Sequence, residues 1–387
     1  MPGGRLRPFP DIRQATFVRR PNRFVVECTL DGHRIAAYMP NPGRLWELLL
    51  PGRTLFLADA GTAGGRKYRY TAVAVVRDGT PILLHTHRSN DVARWLLEQK
   101  KLPGLEDATI VKAEVTAGRS RFDFLLHRQE KPFFLEVKSC TQFGRNIAMF
   151  PDAVTERGRR HLVELASHAD RGTPGGVVFL VHWTRADYFL PDYHTDLEFA
   201  RTLLTLRKRI FIRALAVGWD HDMVMDKGIT ELTIPWHIVK REAQDGGSYL
   251  LIIDMQADRT IDIGKLGPTF FQRGYYIYVG SARRHLTKRI DRHLRKRKNH
   301  FWHIDYLRHR ADGCTALPVR TTDDLECILS KAVAAITRHS IPGFGSSDCS
   351  CPSHLFYMEK NPLHDDSFID TLLHFRMHRL HEQMTLI

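Results

Sequence analysis

Apolar and polar residues alternate in short runs through residues 1–88. FVVECTL and HRIAAY, between Phe24 and Tyr38, flank Asp31-Gly32, a dipeptide suited to the positive φ angles of a tight hairpin, so two paired strands are expected. YRYTAVAVV and TPILLHTH repeat the pattern between Tyr68 and His87 around Arg77-Asp78-Gly79. Short strands with intervening turns predict a small antiparallel barrel or sandwich of the oligonucleotide-binding (OB) kind, with Arg44 to Leu50 as a short helix after Pro-Asn-Pro-Gly. Asp91 to Lys101 has a helical pattern. From Ala113 to about Trp219 strands alternate with helices at 154–168 and 195–207, which predicts an α/β domain over 89–225. Residues 226–246 are polar, lack a period and end in REAQDGG, the pattern of a linker. Beyond it YLLIID, RTIDI and YYIYV read as strands, followed by a basic helix and a second helix at DDLECILSKAV. This predicts an α+β domain over 247–377 and a C-terminal tail over 378–387.

Composition narrows the class. With 387 residues, 43% hydrophobic and 26% charged, the chain is globular and long enough for two or three cores. No apolar run approaches the ~18 residues that span a bilayer, and MPGGRLRPFPDIRQ lacks the apolar stretch of a secretory signal. A membrane role is not expected. Six scattered cysteines are too few for a disulfide scaffold and fit a reducing cytoplasm. The net charge of +14 favours a polyanionic partner, since Lys and Arg that neutralise phosphates release counterions. The excess concentrates in residues 281–310, where eleven Lys and Arg, among them Arg283, Arg284, Lys288 and Arg292, face two Asp. Nucleic acid is the expected partner.

In FFLEVKS, Phe133, Leu135 and Val137 face one side while Phe134, Glu136 and Lys138 face the other, so Glu136 and Lys138 aim at one pocket. RFDFLL precedes it, and a hairpin centred between Gln129 and Glu130 sets Asp123 across from Glu136. Facing carboxylates repel, and a divalent cation between them removes the repulsion; Mg²⁺ or Mn²⁺ prefers such oxygen ligands and supports phosphodiester hydrolysis. Lys138 would then stabilise phosphoryl charge or orient water. Downstream, Arg157, Arg160, His161 and Glu164 share a helical face able to hold a phosphodiester. Glu114 could add a third carboxylate, although a surface role is the plainer expectation.

The acid, a dozen residues, and acid-x-Lys resemble PD-(D/E)xK nucleases. RFDFLL, FFLEVKS and FPDAVTERGRRHL, with MPNPGRLWELLLPG and HTHRSN before them, resemble the sugar fermentation stimulation protein A family over roughly residues 10–225. The resemblance implies an OB-like domain joined to a PD-(D/E)xK nuclease-like domain, DNA binding, and a link to regulation of sugar use. Its pattern is intact at Asp123, Glu136 and Lys138.

In the third domain Tyr249 heads one strand, Tyr278 lies in GYYIYVGSA, and Arg289 and His293 share a helix face, with Glu326 on a later helix. Such a set suffices for single-metal phosphodiester hydrolysis: Glu326 holds the cation, Arg289 clamps phosphate, and Tyr249, Tyr278 or His293 takes the proton of water. A tyrosine base needs its pKa lowered by a nearby cation such as Arg289. These segments, with NHFWHIDYL and IPGFGSSDCSCPSHLFY, resemble the GIY-YIG-related, Uri-type endonuclease domain over about 247–377. GSYLL replaces the Gly-Ile-Tyr half, and the tyrosines are farther apart in sequence than is usual there.

Cys349, Cys351 and His354 offer only three ligands without the usual paired zinc spacing, so a structural or buried role is expected. His300 and His303 flank Trp302 as DNA contacts or as packing around Phe301 and Trp302. Pro40 to Arg44 is a phosphate-touching loop or a turn. Taken together, the sequence predicts a multidomain α/β and α+β protein, with an OB-like β-barrel, a PD-(D/E)xK-like domain and a GIY-YIG-like domain. Metal-dependent cleavage of double-stranded, single-stranded or branched DNA is its expected activity. The alternatives are a non-catalytic DNA-binding regulator of sugar-metabolism genes and an RNA-processing protein. Oligomeric state is not encoded in any motif.

Overall fold

In the computed structural model, which describes residues 5–61, 67–225 and 227–384, the first strands are β1 (Ile12–Asn22), β2 (Val25–Leu30), β3 (His33–Tyr38), β4 (Thr54–Asp59), β5 (Tyr70–Arg77) and β6 (Thr80–Leu83). Asp31 and Gly32 adopt φ of 48° and 79°, and Asp78 and Gly79 of 49° and 74°, the left-handed pairs that match two-residue turns to right-twisted strands. The sheet order is β3-β2-β1-β4-β5-β6, and a parallel contact of Tyr38 with Thr71 joins β3 to β5, closing a barrel. Phe17, Val26, Cys28, Leu55, Leu57 and Ala72 point into its core. Arg44 to Leu50 is a single turn and not the expected helix: Leu45 takes φ of 54°, which a helix cannot continue, and its carbonyl accepts from the Leu48 and Leu49 amides. Residues 1–4 and 62–66, part of the expected barrel domain, lie outside the described residues.

The chain continues through α1 (Ser89–Glu98), β7 (Thr109–Ala117), β8 (Ser120–Arg128), β9 (Lys131–Cys140), β10 (Gln142–Phe143), β11 (Ile147–Phe150), α2 (Glu156–Asp170), β12 (Gly175–Val181), β13 (Tyr188–Pro191), α3 (Leu197–Leu206), β14 (Phe211–Gly218) and β15 (Lys227–Glu231). A six-stranded mixed sheet has the order β15-β14-β12-β9-β8-β7, with β9, β12 and β14 parallel. The central strand β12 is buried on both faces, which explains its unbroken apolar run GGVVFLV. α2 starts at Thr155, whose hydroxyl accepts the Gly158 N–H at 3.0 Å, and packs through Leu162, Leu165 and Ala166.

The expected linker is largely built into structure. β15 pairs with β14 and α4 (Trp236–Glu242) follows; an edge strand has one partner and needs little hydrophobicity, so its pattern is faint. Residue 226 lies outside the described residues.

By contact density the chain forms two units: the chain up to Asp192 with Glu198–Trp236, and Tyr193–Leu197 with the chain from His237. The second contains β16 (Gly247–Met255), β17 (Arg259–Asp262), β18 (Pro268–Phe271), β19 (Gly274–Ala282), α5 (Leu286–Leu294), α6 (His303–Arg310), β20 (Gly313–Arg320), α7 (Glu326–Ile336), β21 (His339–Ser340), β22 (Leu355–Met358), α8 (Asp366–Arg376) and α9 (His381–Met384). β20-β16-β19-β22-β21 form an antiparallel sheet and β17 pairs with β18. Within this unit the buried His194 imidazole accepts the Arg320 N–H at 2.9 Å through Nδ1 and meets the Arg376 carbonyl at 3.0 Å through Nε2. The expected tail is packed as far as Met384, with Leu380 and Met384 buried; residues 385–387 lie outside the described residues. No described helix is long and apolar enough to cross a membrane.

Candidate functional sites

The β8–β9 ladder runs from Arg128 opposite Lys131 to Phe124 opposite Leu135, so Asp123 and Glu136 come next in register. Gln129 and Glu130 at the turn take φ of 47° and 61°. Past Phe124 the side chain takes over from the ladder. Asp123 Oδ2 accepts the Val137 N–H at 2.7 Å, and Oδ1 accepts from Asn90 Nδ2 of α1 at 2.9 Å.

Glu136 is 3% exposed. Its Oε1 accepts from Lys138 Nζ at 2.5 Å and meets His161 Nδ1 at 2.6 Å, while its Oε2 is buried without a hydrogen-bond partner. Arg157 Nε donates to His161 Nε2 at 3.3 Å, so the imidazole proton sits on Nδ1 and is donated to Glu136. Burial and then the Glu136 charge raise the Asp123 pKa. Burial also works to raise that of Glu136, but Lys138 and His161 outweigh it and the net shift is downward. The two carboxyls are therefore driven apart in acidity, and one carboxylate oxygen is left buried without a hydrogen-bond partner.

The helix face expected to hold DNA is split: Arg157 and Arg160 are exposed, whereas His161 is turned inward to Glu136 because that edge of α2 lies against the sheet. Glu114 is exposed and 3.5 Å from Arg121. Arg44 is exposed, 4.9 Å above the Trp46 ring.

In the second unit Tyr249 faces Gly280 across β16–β19 and Tyr278 faces Leu251, which puts the two phenols diagonally on one face with ring centroids 6.3 Å apart. Sequence separation is thus undone by strand pairing. Tyr249 Oη lies 3.0 Å from His293 Nε2, and His293 Nδ1 lies 3.6 Å from Asp305 Oδ1. Asp305, fully buried, accepts from both terminal nitrogens of Arg292 at 3.0 Å, from the Phe301 and Trp302 amides at 3.0 and 3.1 Å, and pairs with Lys298 at 3.0 Å. Burial raises the Asp305 pKa, yet His293, Arg292 and the two amides hold it well below the carboxylate range. Arg292, expected on DNA, is committed to this carboxylate; Arg283, Arg284 and Lys288 are exposed. Arg289 stacks 4.6 Å over Trp302.

Burial pushes both phenols upward in pKa, and Arg289 only partly opposes it, so the expected cation-lowered tyrosine is reversed in this geometry. Burial lowers the His293 pKa, and its Nε2 stands at hydrogen-bond distance from the Tyr249 hydroxyl. Glu326 Oε2 accepts from Ser281 Oγ at 2.5 Å and Oε1 lies 3.4 Å from His354 Nδ1. Burial raises the Glu326 pKa, but His354, Ser281 and Arg289 pull it down overall. A Cβ at Gly280 would stand 2.5 Å from Tyr249 Oη and 3.0 Å from Tyr278 Cε1. Gly280→Ala is expected to displace both phenols at a cost of about 1–3 kcal/mol, read as a lower midpoint in urea unfolding.

His303 Nδ1 accepts the Gly345 N–H at 3.3 Å, and His300 packs 4.6 Å from the Tyr306 ring. Cys349, Cys351 and His354 are joined by Cys327 of α7, and their four ligand atoms lie within 4.8 Å of one another. Sequence reasoning missed Asn90, Ser281, Asp305 and Cys327. The doublet Glu326-Cys327, beside DCSCPSH, was the available signal for the last.

Three families match in succession: the SfsA N-terminal OB domain at residues 18–84, the sugar fermentation stimulation protein RE domain at 87–223, and a domain of unknown function, DUF123, at 248–376. A sugar fermentation stimulation protein homolog of Methanothermobacter thermautotrophicus is 39% identical over 190 residues, 49% of this chain and 79% of the homolog. That of Clostridium tetani is 34% identical over 216 residues, 55% of this chain and 94% of the homolog. The solved structure of Pyrococcus furiosus SfsA in complex with Ca²⁺ has a TM-score of 0.54 and 28% identity, covering 60% of this chain and 99% of that one.

Proposed function

The chain belongs to the sugar fermentation stimulation protein family, and from that premise we propose that its central domain is a metal-dependent phosphodiesterase acting on DNA. The observation that carries the reading is the buried, unpartnered Glu136 Oε2 in register with Asp123. These carboxylates would hold Mg²⁺ or Mn²⁺; the Ca²⁺ of the Pyrococcus furiosus protein is a hard cation with the same preference for oxygen. When bound, the ion neutralises the facing carboxylates and draws charge from a phosphodiester. Lys138, hydrogen-bonded to Glu136, is placed to transfer its donor to a phosphoryl oxygen or to orient water. His161 fixes the Glu136 carboxylate, and Arg157 fixes His161, so the pocket is organised before substrate arrives. Exposed Arg160, the Arg44 loop and the OB-type barrel supply backbone contacts, where phosphate neutralisation gives affinity without sequence reading.

A second phosphodiesterase site in the other unit is favoured by the Tyr249–His293–Asp305 chain. As Tyr249 takes a proton from water it passes its own to His293, whose positive charge Asp305 faces at 3.6 Å. Arg289 would clamp phosphate, and Glu326 would hold the ion.

The test is cleavage of plasmid, single-stranded, branched DNA and RNA with Mg²⁺, with Mn²⁺ and with EDTA. Cutting of DNA that requires the metal is expected. Cutting of RNA alone would reassign the substrate, and binding with no cutting under any metal would leave a non-catalytic DNA-binding regulator. Glu326→Ala is expected to leave the activity of the first site in place, which separates the two.

A further inference from the structure

We infer that Cys327, Cys349, Cys351 and His354 form a tetrahedral zinc centre that pins residues 341–354 to the start of α7 and thereby fixes Glu326. The argument starts from donor chemistry. Three thiols and one imidazole, with no carboxylate or carbonyl oxygen among them, select a thiophilic ion over Mg²⁺ or Ca²⁺, and Cys₃His is a closed structural set with no open position.

Distances agree. Zinc–sulfur and zinc–nitrogen bonds of tetrahedral geometry put a sulfur and a nitrogen ligand about 3.5 Å apart. Cys349 Sγ lies 3.4 Å from His354 Nε2, and all four donors fall within 4.8 Å of one another.

The surroundings of His354 supply an independent argument. Its Nε2 faces the thiols, and its other nitrogen, Nδ1, lies 3.4 Å from Glu326 Oε1. That nitrogen is buried and makes no hydrogen bond as it stands, and a carboxylate on the far side of the ring is the group that commonly fixes the tautomer and orientation of a metal-bound imidazole. The backbone holds the ring still: His354 N donates to the Phe344 carbonyl at 2.8 Å, and the His354 carbonyl accepts from Val279 of β19 at 2.9 Å. Cys327 occupies the first turn of the eleven-residue helix α7, so a regular element holds the thiol in place.

The segment 341–354 has no helix or strand, and the ion would give it the order that hydrogen-bond ladders give its neighbours. It also carries Gly345, where an added Cβ would stand 2.8 Å from Tyr278 Cε2, and Phe344, whose ring centroid is 6.1 Å from that of Tyr278. One ion therefore joins the segment lying against Tyr278 to the helix that bears Glu326. Glu326 is a positioning partner of the centre through His354. The inference stands without the nuclease reading, because its readout is metal content and ligand spectroscopy.

The test uses the full chain purified without chelator. Elemental analysis is expected to give one zinc per chain, and cobalt exchanged for zinc is expected to show thiolate charge-transfer and tetrahedral ligand-field bands. Cys327→Ser and Cys349→Ser should each abolish the stoichiometric zinc, whereas Cys314→Ser, outside the cluster, should keep it. Glu326→Gln should retain tetrahedral cobalt bands with zinc bound about 10–100-fold more weakly. If the serine variants fail to fold, the cobalt spectrum of the unaltered chain still decides the matter. A disulfide among Cys327, Cys349 and Cys351 in protein purified under reducing conditions, bound iron in place of zinc, or no thiolate bands with cobalt would overturn the centre.

Discussion

Glu136→Gln is expected to lower metal-dependent cleavage by the first site about a thousandfold while DNA binding stays nearly unchanged. The amide keeps the volume of the carboxylate and one acceptor oxygen, so Lys138 and His161 retain a partner. What it loses is the negative charge beside Asp123 and the free Oε2 lone pairs. A loss of about 4 kcal/mol of transition-state stabilisation corresponds to a factor of about 10³. In the proposed reading, binding rests on exposed Arg and Lys that neutralise backbone phosphates, and the substitution leaves those in place. The measurement is cleavage rate in Mn²⁺ alongside calorimetric Mn²⁺ uptake and a DNA titration at one fixed salt concentration. Full cleavage in the variant, or affinity falling in step with rate, would remove Glu136 from the site.

The second large effect is on folding. Asp305→Asn is expected to destabilise the second unit by about 3–5 kcal/mol, because a fully buried carboxylate that answers Arg292, Lys298 and His293 is replaced by a neutral group. The cations left behind have lost their countercharge in a region where burial already lowers the Lys298 and His293 pKa values. Hydrogen exchange reads this locally. Phe301 and Trp302 donate their amides to Asp305, and their exchange should accelerate about a hundredfold or more. Unaltered protection of both amides would mean that the carboxylate is replaceable by solvent.

The β8–β9 site was largely legible because both of its determinants are local. A strand period of two puts Glu136 and Lys138 on one face whatever the fold, and the polar turn at Gln129-Glu130 fixes the register that brings Asp123 beside them. Asn90 and the inward turn of His161 were not legible: a helical wheel groups Arg157, Arg160 and His161, but only docking of α2 on the sheet decides which edge is covered. β1 escaped for a different reason. β1 buries only Ala15 and Phe17 of its eleven residues, so its alternation is too weak to read. Cys327 lies far in sequence from the thiols and imidazole it meets, and Asp305, although within 13 residues of Arg292, looks like an ordinary helix-start acid until folding buries it. The basic stretch 281–310 shows the opposite failure, since Arg292 and Lys298 look like surface charge in sequence and are spent on an internal carboxylate.

Neither unit is encoded by one uninterrupted run, because Tyr193–Leu197 belongs to the second while Glu198–Trp236 belongs to the first. A fragment beginning at His237 would lack the imidazole that answers the Arg320 amide and the Arg376 carbonyl. Modularity at the level of folding thus departs from modularity at the level of the gene. Recombination that swapped only the downstream half would strand this short ribbon in the wrong partner.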